Sequence, residues 1–119
     1  MQSPHDSSPK APIAVGIDGG GTSTRVLLMG ADSQPLGQGR SGSGNLHDVG
    51  AKDLMAHINE AWRRAWAHAG AQPRPAAAAF CAMASVGTTS DRETVRGIVA
   101  SVGVAPLECT TVDLSLIHI

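Results

Sequence analysis

Apolar runs alternate with turn-forming residues along the first forty positions, and this pattern predicts three short strands. IAVGID, residues 13–18, is apolar and rich in β-branched side chains, which is typical of a buried strand. TSTRVLLMG, residues 22–30, predicts a second strand, and the glycines between the two predict a tight turn, so the pair forms a hairpin. After the turn-forming ADSQPLG, a third and weaker strand is predicted over residues 36–40.

The pattern then changes to helical spacing, and a polar Gly/Ser loop, SGSGN at residues 41–45, separates the two parts of the chain. Apolar residues recur three and four positions apart, which predicts one apolar stripe on a helix. These residues are Leu54, Met55, Ile58, Ala61, Trp62, Ala65, Trp66 and Ala69. Gly70 is a natural C-cap and Pro73 a stop signal, so we expect the helix to end there.

The remaining segments predict a strand, a helix and a further strand. AAAAFCAMA, residues 76–84, is rich in alanine, yet Pro75 and Gly87 bound it, so we interpret it as a buried strand. In SDRETVRGIVASVG, Ser90 and Glu93 have the capping-box spacing and predict a helix with Ser90 as its N-cap. A fifth strand is expected over residues 107–113. The order β-β-β-α-β-α-β indicates an α/β fold, a meander followed by crossover units.

Composition narrows the classes of function. The 119 residues suffice for one domain with a modest core, and a net charge of −1 with mixed signs disfavours a nucleic-acid partner. No apolar run is long enough to span a membrane. Residues 1–12 lack the apolar stretch of a signal peptide, and we expect them to be a disordered leader. Cys81 and Cys109 lie in apolar surroundings, which favours reduced thiols in a cytoplasmic protein.

Two phosphate-loop motifs can be tested against the glycines. Gly16 and Gly21 have the glycine spacing of a P-loop, but Thr22 stands in place of the lysine and a strand follows instead of a helix, so we reject that motif. The run from Gly37 to Gly42 matches G-x-G-x-x-G, yet no helix opens directly behind it. We therefore interpret the second match as a flexible loop.

A glycine-rich hairpin turn can still bind phosphate. Successive backbone N–H groups at Gly19, Gly20 and Gly21 can attract an anion, and the lack of Cβ atoms allows close approach. Thr22 adds a hydroxyl donor, and Asp18 could hold Mg²⁺ beside the phosphates. The alternative is a turn without a ligand, in which Asp18 is only a turn former. Spacing alone leaves both interpretations open.

Four motifs resemble those of one superfamily. GIDGGGTSTRVLL is similar to the first phosphate motif of the sugar kinase, heat-shock-protein-70 and actin superfamily, and most similar to the branch that holds N-acetylglucosamine and glucosamine kinases and BadF/BadG/BcrA/BcrD-type ATPases. SGSGNL resembles the loop before the first helix in that branch. FCAMASVG resembles the fourth strand with its turn, and TTVD the end of the fifth strand. The resemblance covers residues 13–113.

The resemblance implies a ribonuclease-H-like lobe of the actin-like ATPase type, a three-stranded antiparallel meander extended by parallel strands with flanking helices. It implies that ATP and Mg²⁺ bind at the glycine turn and that an amino sugar is the small-molecule substrate. Asn45 would contact the sugar, Ser85 and Gly87 would lie at the cleft, and Asp113 would be the catalytic base. Leu114 follows Asp113 where the family pattern has an alanine.

The resemblance also implies a second lobe, so we expect residues 13–113 to be an incomplete N-terminal lobe that is inactive alone. LSLIHI, residues 114–119, matches the translation of a transposase mosaic end used as a sequencing adapter, which predicts an artefact rather than a native strand end. The leading hypothesis is an amino-sugar kinase, with a homodimer possible in the full-length protein. The alternatives are a BadF-type activator ATPase that drives a partner's redox chemistry, and a non-catalytic sugar- or nucleotide-binding lobe.

Overall fold

The order of strands and helices agrees with the apolar pattern. The computed structural model describes residues 14–31, 34–84 and 86–105 and the backbone of 111–113. The elements are β1 (Ala14–Gly19), β2 (Thr24–Met29), β3 (Pro35–Ser41), α1 (Leu46–Ala69), β4 (Ala78–Met83), α2 (Thr89–Val102) and β5 (Thr111–Asp113). The predicted leader, residues 1–12, the predicted adapter segment, residues 114–119, and Cys109 lie outside the described residues.

The five strands form one sheet in the order β3-β2-β1-β4-β5. β1 pairs antiparallel with β2, and β2 pairs antiparallel with β3, which is the predicted meander. β4 pairs parallel with β1, and β5 pairs parallel with β4, which are the predicted crossover additions. The predicted meander extended by parallel strands is therefore confirmed in its order of elements along the chain and in its strand directions.

One face of the sheet forms the core together with the two helices. Alternate side chains on the three central strands are buried, as period-2 patterning requires. They are Val15 and Ile17 on β1, Thr24, Val26 and Leu28 on β2, and Ala79, Cys81 and Met83 on β4. The α1 stripe packs against β2 and β3, with Trp62 and Trp66 in an edge-to-face contact at 5.6 Å between ring centroids. Two residues predicted for the stripe differ, because Met55 is 39% exposed and Ala69 is only half-buried. Cys81 is thus a buried core thiol, as predicted.

The first helix begins earlier than its apolar stripe. Asn45 is the N-cap, and its side-chain oxygen accepts hydrogen bonds from the backbone N–H groups of His47 and Asp48. Gly50 has a φ of 84° and interrupts the helical backbone, so a short first turn precedes the long stripe-bearing part. Gly70 closes α1 in the left-handed conformation, which confirms it as the C-cap.

The N-cap of the second helix lies two residues before the one predicted for it. Thr88, not Ser90, is the N-cap, because its hydroxyl oxygen accepts the N–H of Asp91 at 3.0 Å. The spacing from Thr88 to Asp91 is the same three residues as from Ser90 to Glu93, so two overlapping cap signals compete in the sequence. The structure uses the first of them, and Ser90 lies inside the helix.

The G-x-G-x-x-G match is not a flexible loop, because Gly37 and Gly39 lie within β3. A Cβ added at Gly37 would collide with the backbone of α1 at Ala65 and Ala69, and one added at Gly39 would collide with α1 at Ala61 and Ala65. The two glycines therefore let the helix backbone approach the strand closely, which accounts for their spacing of two without any nucleotide.

Candidate active site

Most of the predicted site residues meet at one edge of the sheet. β1, β3, β4 and β5 run in the same direction, so their carboxyl ends lie at a common edge. Three connections emerge there: the glycine turn after β1, the loop from Gly42 to Asn45 after β3, and the loop that follows β4 and ends at Thr88. In open α/β sheets this edge is where ligands characteristically bind.

Backbone hydrogen bonds tie the three connections together. Within the glycine turn, the Gly20 N–H donates to the carbonyl of Ser23 at 2.8 Å. The Gly44 N–H donates to the carbonyl of Gly20 at 2.8 Å, so the loop after β3 is fixed to the turn. The Ala84 N–H donates to the carbonyl of Gly19 at 2.7 Å, so the start of the loop after β4 is fixed to it as well.

The three consecutive glycines have different surroundings. A Cβ at Gly19 would lie 2.8 Å from the Gly44 carbonyl oxygen and would overlap the side chain of Met83. A Cβ at Gly20 would meet nothing closer than the Ser23 carbonyl at 3.9 Å, and one at Gly21 would meet nothing within 4 Å. Neither Gly20 nor Gly21 has a positive φ. Packing therefore explains Gly19, but neither packing nor backbone conformation within the described residues explains Gly20 and Gly21.

The backbone amides of the turn are not equally available. The Gly20 N–H is used inside the turn, so of the predicted phosphate-binding amides this one is already engaged. Gly21 and Thr22 are exposed, and their N–H groups find no acceptor among the residues that the structure describes. A phosphate could therefore be held by the amides of Gly21 and Thr22 and by the Thr22 hydroxyl.

Asp18 is the acidic residue of the turn region. It lies on β1 one residue before Gly19, is exposed, and faces Arg25 as its cross-strand neighbour in the β1–β2 register. An exposed carboxylate beside a phosphate cradle fits an oxygen-coordinated Mg²⁺ held in part by the phosphates. No group of three or more histidine, cysteine or acidic side chains that could hold a metal by itself occurs in the described ranges.

The loop after β3 is built around Asn45 and Ser43. The Asn45 side chain caps α1, and the Asn45 N–H donates to the Ser43 hydroxyl oxygen at 3.2 Å. The Ser43 hydroxyl lies 3.5 Å from the Gly20 carbonyl, and the Ser43 carbonyl accepts a hydrogen bond from His57 Nδ1 at 2.7 Å. The predicted sugar-binding asparagine is therefore a structural cap, held between the glycine turn and α1.

The loop after β4 carries a contact that the sequence analysis did not predict. Asp91, in the first turn of α2, accepts hydrogen bonds at Oδ2 from His47 Nε2 at 3.0 Å and from the Gly87 N–H at 3.3 Å. The hydrogen bond from His47 is the main cause that lowers the pKa of Asp91 below its ordinary value of 3.8, with the Gly87 N–H contributing. His47 and Asp91 are 44 positions apart, and no local sequence pattern connects them.

Two predicted residues are placed less fully. Asp113 ends β5, in the register row of Cys81 on β4 and Ile17 on β1, so its backbone lies at the same edge as the glycine turn. Asp18 pairs with Ala82, one row further along. Ser85 lies outside the described residues, while Gly87, its predicted neighbour at the cleft, is exposed.

A comparison of the sequence with models of known protein families identifies the family of the chain. The model of the BadF/BadG/BcrA/BcrD ATPase family matches residues 15–114. The chain belongs to this family. The match begins in β1 and extends one residue past Asp113, so it includes the glycine turn, the Asn45 loop and the end of β5. No curated protein sequence matches the chain at a significant level.

Two solved structures share the fold of this BadF/BadG/BcrA/BcrD family member. A Chromobacterium violaceum protein with a proposed N-acetylglucosamine kinase activity has a TM-score of 0.60 at 23% identity, over 88% of this chain and 35% of that one. The ethanolamine utilization protein EutJ from Carboxydothermus hydrogenoformans has a TM-score of 0.66 at 17% identity, over 91% of this chain and 39% of that one. The predicted actin-like ATPase lobe is thereby confirmed as the fold.

The family member is much shorter than the proteins in these two structures. It spans little more than a third of the length of each matched protein, 35% and 39%. Among the residues described, no helix combines the length and apolar character that crossing a membrane requires. The description of the matched family is that of ATPases.

Proposed function

We propose that this chain is the phosphate-binding lobe of an ATP-dependent amino-sugar kinase, which transfers the γ-phosphoryl group of ATP to a sugar hydroxyl. One observation carries the proposal. Packing does not require glycine at positions 20 and 21. Gly21 and Thr22 are exposed, and their N–H groups have no acceptor within the described ranges. Close approach of a phosphate explains both features at once.

The chemistry follows from what is held at the edge. The amides of Gly21 and Thr22 would bind the terminal phosphates, and Mg²⁺ held beside Asp18 would neutralise the charge on the transferring group. Phosphoryl transfer depends mainly on such positioning and electrostatic stabilisation. Asp113 would accept the proton of the attacking hydroxyl, which is the role of a general base.

The sugar side of the proposal rests on the loops after β3 and β4. Asn45 and Gly87 both lie at the carboxyl edge, and the loop of Asn45 is hydrogen-bonded to the glycine turn through Gly44. A sugar bound there would have its hydroxyl groups next to the phosphate cradle. The structural likeness to a proposed N-acetylglucosamine kinase supports an amino sugar as the substrate class.

A BadF-type activator ATPase is the second candidate, because the family includes such proteins by name. It would use the same turn for ATP but would need no sugar. The two candidates therefore differ in one measurable property, the binding of a sugar at the loops that contain Asn45 and Gly87.

The test is an NMR titration of the ¹⁵N-labelled 119-residue chain. Mg-ATP should shift the amide signals of Gly21 and Thr22, and N-acetylglucosamine or glucosamine should shift those of Asn45 and Gly87. Glycerol at the same concentration is the control for nonspecific hydroxyl binding. Nucleotide shifts without sugar shifts would favour the activator ATPase, and no nucleotide shifts would overturn the phosphate site.

A matched pair of variants tests the cradle itself. Gly21→Val places a branched side chain in the open turn and should weaken Mg-ATP binding by about tenfold or more, because it fills the space that the phosphate needs. Gly97→Val is the control, since Gly97 is an exposed helical glycine with nothing within 4 Å of an added Cβ. Equal nucleotide affinity in both variants would contradict the proposed cradle.

A further inference from the structure

We propose that Asp91 is a positioning residue that joins the two sugar-side loops, a role that rests on the proposed kinase function. Its carboxylate connects the first turn of α1 to the loop after β4 through a single oxygen, Oδ2. The first of these segments directly follows the Asn45 cap and the second contains Gly87, and Asn45 and Gly87 are the residues assigned to the sugar.

The geometry on the α1 side fixes the chemistry of the contact. A carboxylate oxygen can only accept, so the Nε2 of His47 must carry the hydrogen that it donates at 3.0 Å. His47 is the second residue of α1, and its own N–H donates to the Asn45 side chain at 3.0 Å. Asp91 therefore holds the turn that begins at the Asn45 cap.

The geometry on the other side holds the loop after β4. The Gly87 N–H donates to Asp91 Oδ2 at 3.3 Å, and the Asp91 N–H donates to the hydroxyl oxygen of Thr88 at 3.0 Å. The loop is thus bonded to Asp91 by both the side chain and the backbone. Because the Asp91 side chain is only 15% exposed, it lies between the segments rather than out in solvent.

Asp91 links the start of α1 directly to the loop after β4, whereas the bonds between these segments and the glycine turn do not involve it. The turn is fixed to the loop after β3 through Gly44 and to the end of β4 through Ala84, and neither bond involves Asp91. Loss of the Asp91 carboxylate should therefore weaken sugar binding while leaving nucleotide binding almost unchanged.

The first experiment measures the joint itself and does not depend on any ligand. Amide hydrogen exchange of Gly87 is compared by NMR in wild type, Asp91→Asn and Asp91→Ala. We expect exchange of Gly87 to speed up about fivefold in Asp91→Ala, the scale of one lost hydrogen bond at a partly exposed site, and less in Asp91→Asn, which keeps an acceptor oxygen. An unchanged exchange rate of Gly87 in Asp91→Ala would show that Asp91 does not hold the loop after β4, and would overturn the proposed role.

The second experiment measures its effect on binding. In the same variants the dissociation constant for N-acetylglucosamine should rise about fivefold, and that for Mg-ATP should change less than twofold. Glu93→Gln is the control, because Glu93 is an exposed carboxylate on the same helix, has no hydrogen bond among the described residues, and is not part of the joint. Equal losses for sugar and nucleotide would indicate general destabilisation and overturn the role.

A double-mutant cycle with His47→Gln measures how much of the effect on sugar affinity comes from the contact between His47 and Asp91. If the two residues act through their contact, the effects of His47→Gln and Asp91→Asn on sugar affinity should be clearly less than additive. Full additivity would overturn a shared role. If wild type binds no sugar, the proposed function and this role fail together, while the exchange of Gly87 still reports whether Asp91 joins the loops.

Discussion

Gly19, Gly20 and Gly21 are adjacent in the sequence, but the structure gives them different reasons to be glycine. Gly19 lies against the carbonyl of Gly44 and the side chain of Met83, whereas Gly21 faces open space. The sequence alone treats the three as equivalent, because glycine has no side chain whose pattern could separate a packed position from an open one. The distinction arises only when the loop after β3 folds back onto the turn.

This difference predicts opposite effects of the same substitution. Gly19→Ala should lower the free energy of unfolding by about 1–3 kcal/mol, since the new methyl group overlaps backbone that cannot move freely. Gly21→Ala should leave stability unchanged or slightly raised, because alanine restricts the unfolded chain and fits the backbone here. Urea denaturation of both variants is the measurement.

Nucleotide binding completes the comparison. Gly21→Ala should weaken Mg-ATP binding severalfold despite its intact stability. A Gly19→Ala variant as stable as wild type, or a destabilised Gly21→Ala variant, would contradict the packing described for the turn.

Asn45 has two roles to separate, because the predicted sugar contact is also the observed N-cap of α1. Asn45→Ala should cost about 1 kcal/mol of stability through the lost cap and should also weaken sugar binding. Asn45→Asp should keep the cap, since aspartate accepts the same N–H groups, but it should still weaken the sugar contact because it loses the amide donor.

Thermal denaturation and a sugar titration on the two variants are the measurements. If Asn45→Asp binds N-acetylglucosamine as wild type does, the Asn45 side chain is only a cap. Mg-ATP binding, measured alongside, should change little in either variant, because the Gly21 and Thr22 amides do not depend on the cap.

At the scale of elements, the sheet and the helices are predictable because their signals are periodic and long. The alternation on β1 and β2 and the three-four spacing on α1 each extend over several residues, so chance matches are few. The predicted N-cap of α2 was wrong because Thr88 and Ser90 both offer cap signals. The fit of the loop after β4 selects between the two. The contact of His47 with Asp91 joins residues 44 positions apart, and no local pattern encodes it.

The packing of α1 on β3 gives an element-scale prediction. Gly39→Ala should place a methyl group against the α1 backbone at Ala61 and Ala65 and push the helix from the strand. We expect the free energy of unfolding to fall by about 1–3 kcal/mol or more. For a domain of this size, this corresponds to a fall in Tm on the order of 10 °C. Gly16→Ala is the matched control, because Gly16 is a strand glycine with nothing within 4 Å of an added Cβ.

Thermal unfolding followed by circular dichroism measures both variants. A large loss in Gly16→Ala would show that glycine in a strand matters here for another reason. A neutral Gly39→Ala would show that α1 does not approach β3 as closely as described, and would reopen the question of why the glycines of β3 have this spacing.

At the scale of the whole molecule, the candidate site is an open edge. Four of its residues are exposed, namely Asp18, Gly21, Thr22 and Gly87. Within the described residues, nothing therefore covers the proposed phosphate site on its solvent side. Efficient phosphoryl transfer requires that the reacting groups be held in one geometry and that water be excluded from them. An exposed edge can bind phosphate weakly, but it cannot by itself keep water from the reacting phosphoryl group.

The 119-residue chain should therefore bind Mg-ATP weakly and transfer no phosphoryl group to N-acetylglucosamine above the rate without protein. The physical reason is the open edge, at which the described residues leave the proposed phosphate site exposed to water. A coupled assay for ADP release, with and without sugar, measures turnover, and the NMR titration measures binding in the same sample. Turnover by a monomer of this length, abolished by Gly21→Val but not by Gly97→Val, would show that the exposed edge alone suffices for the reaction and that no cover is required.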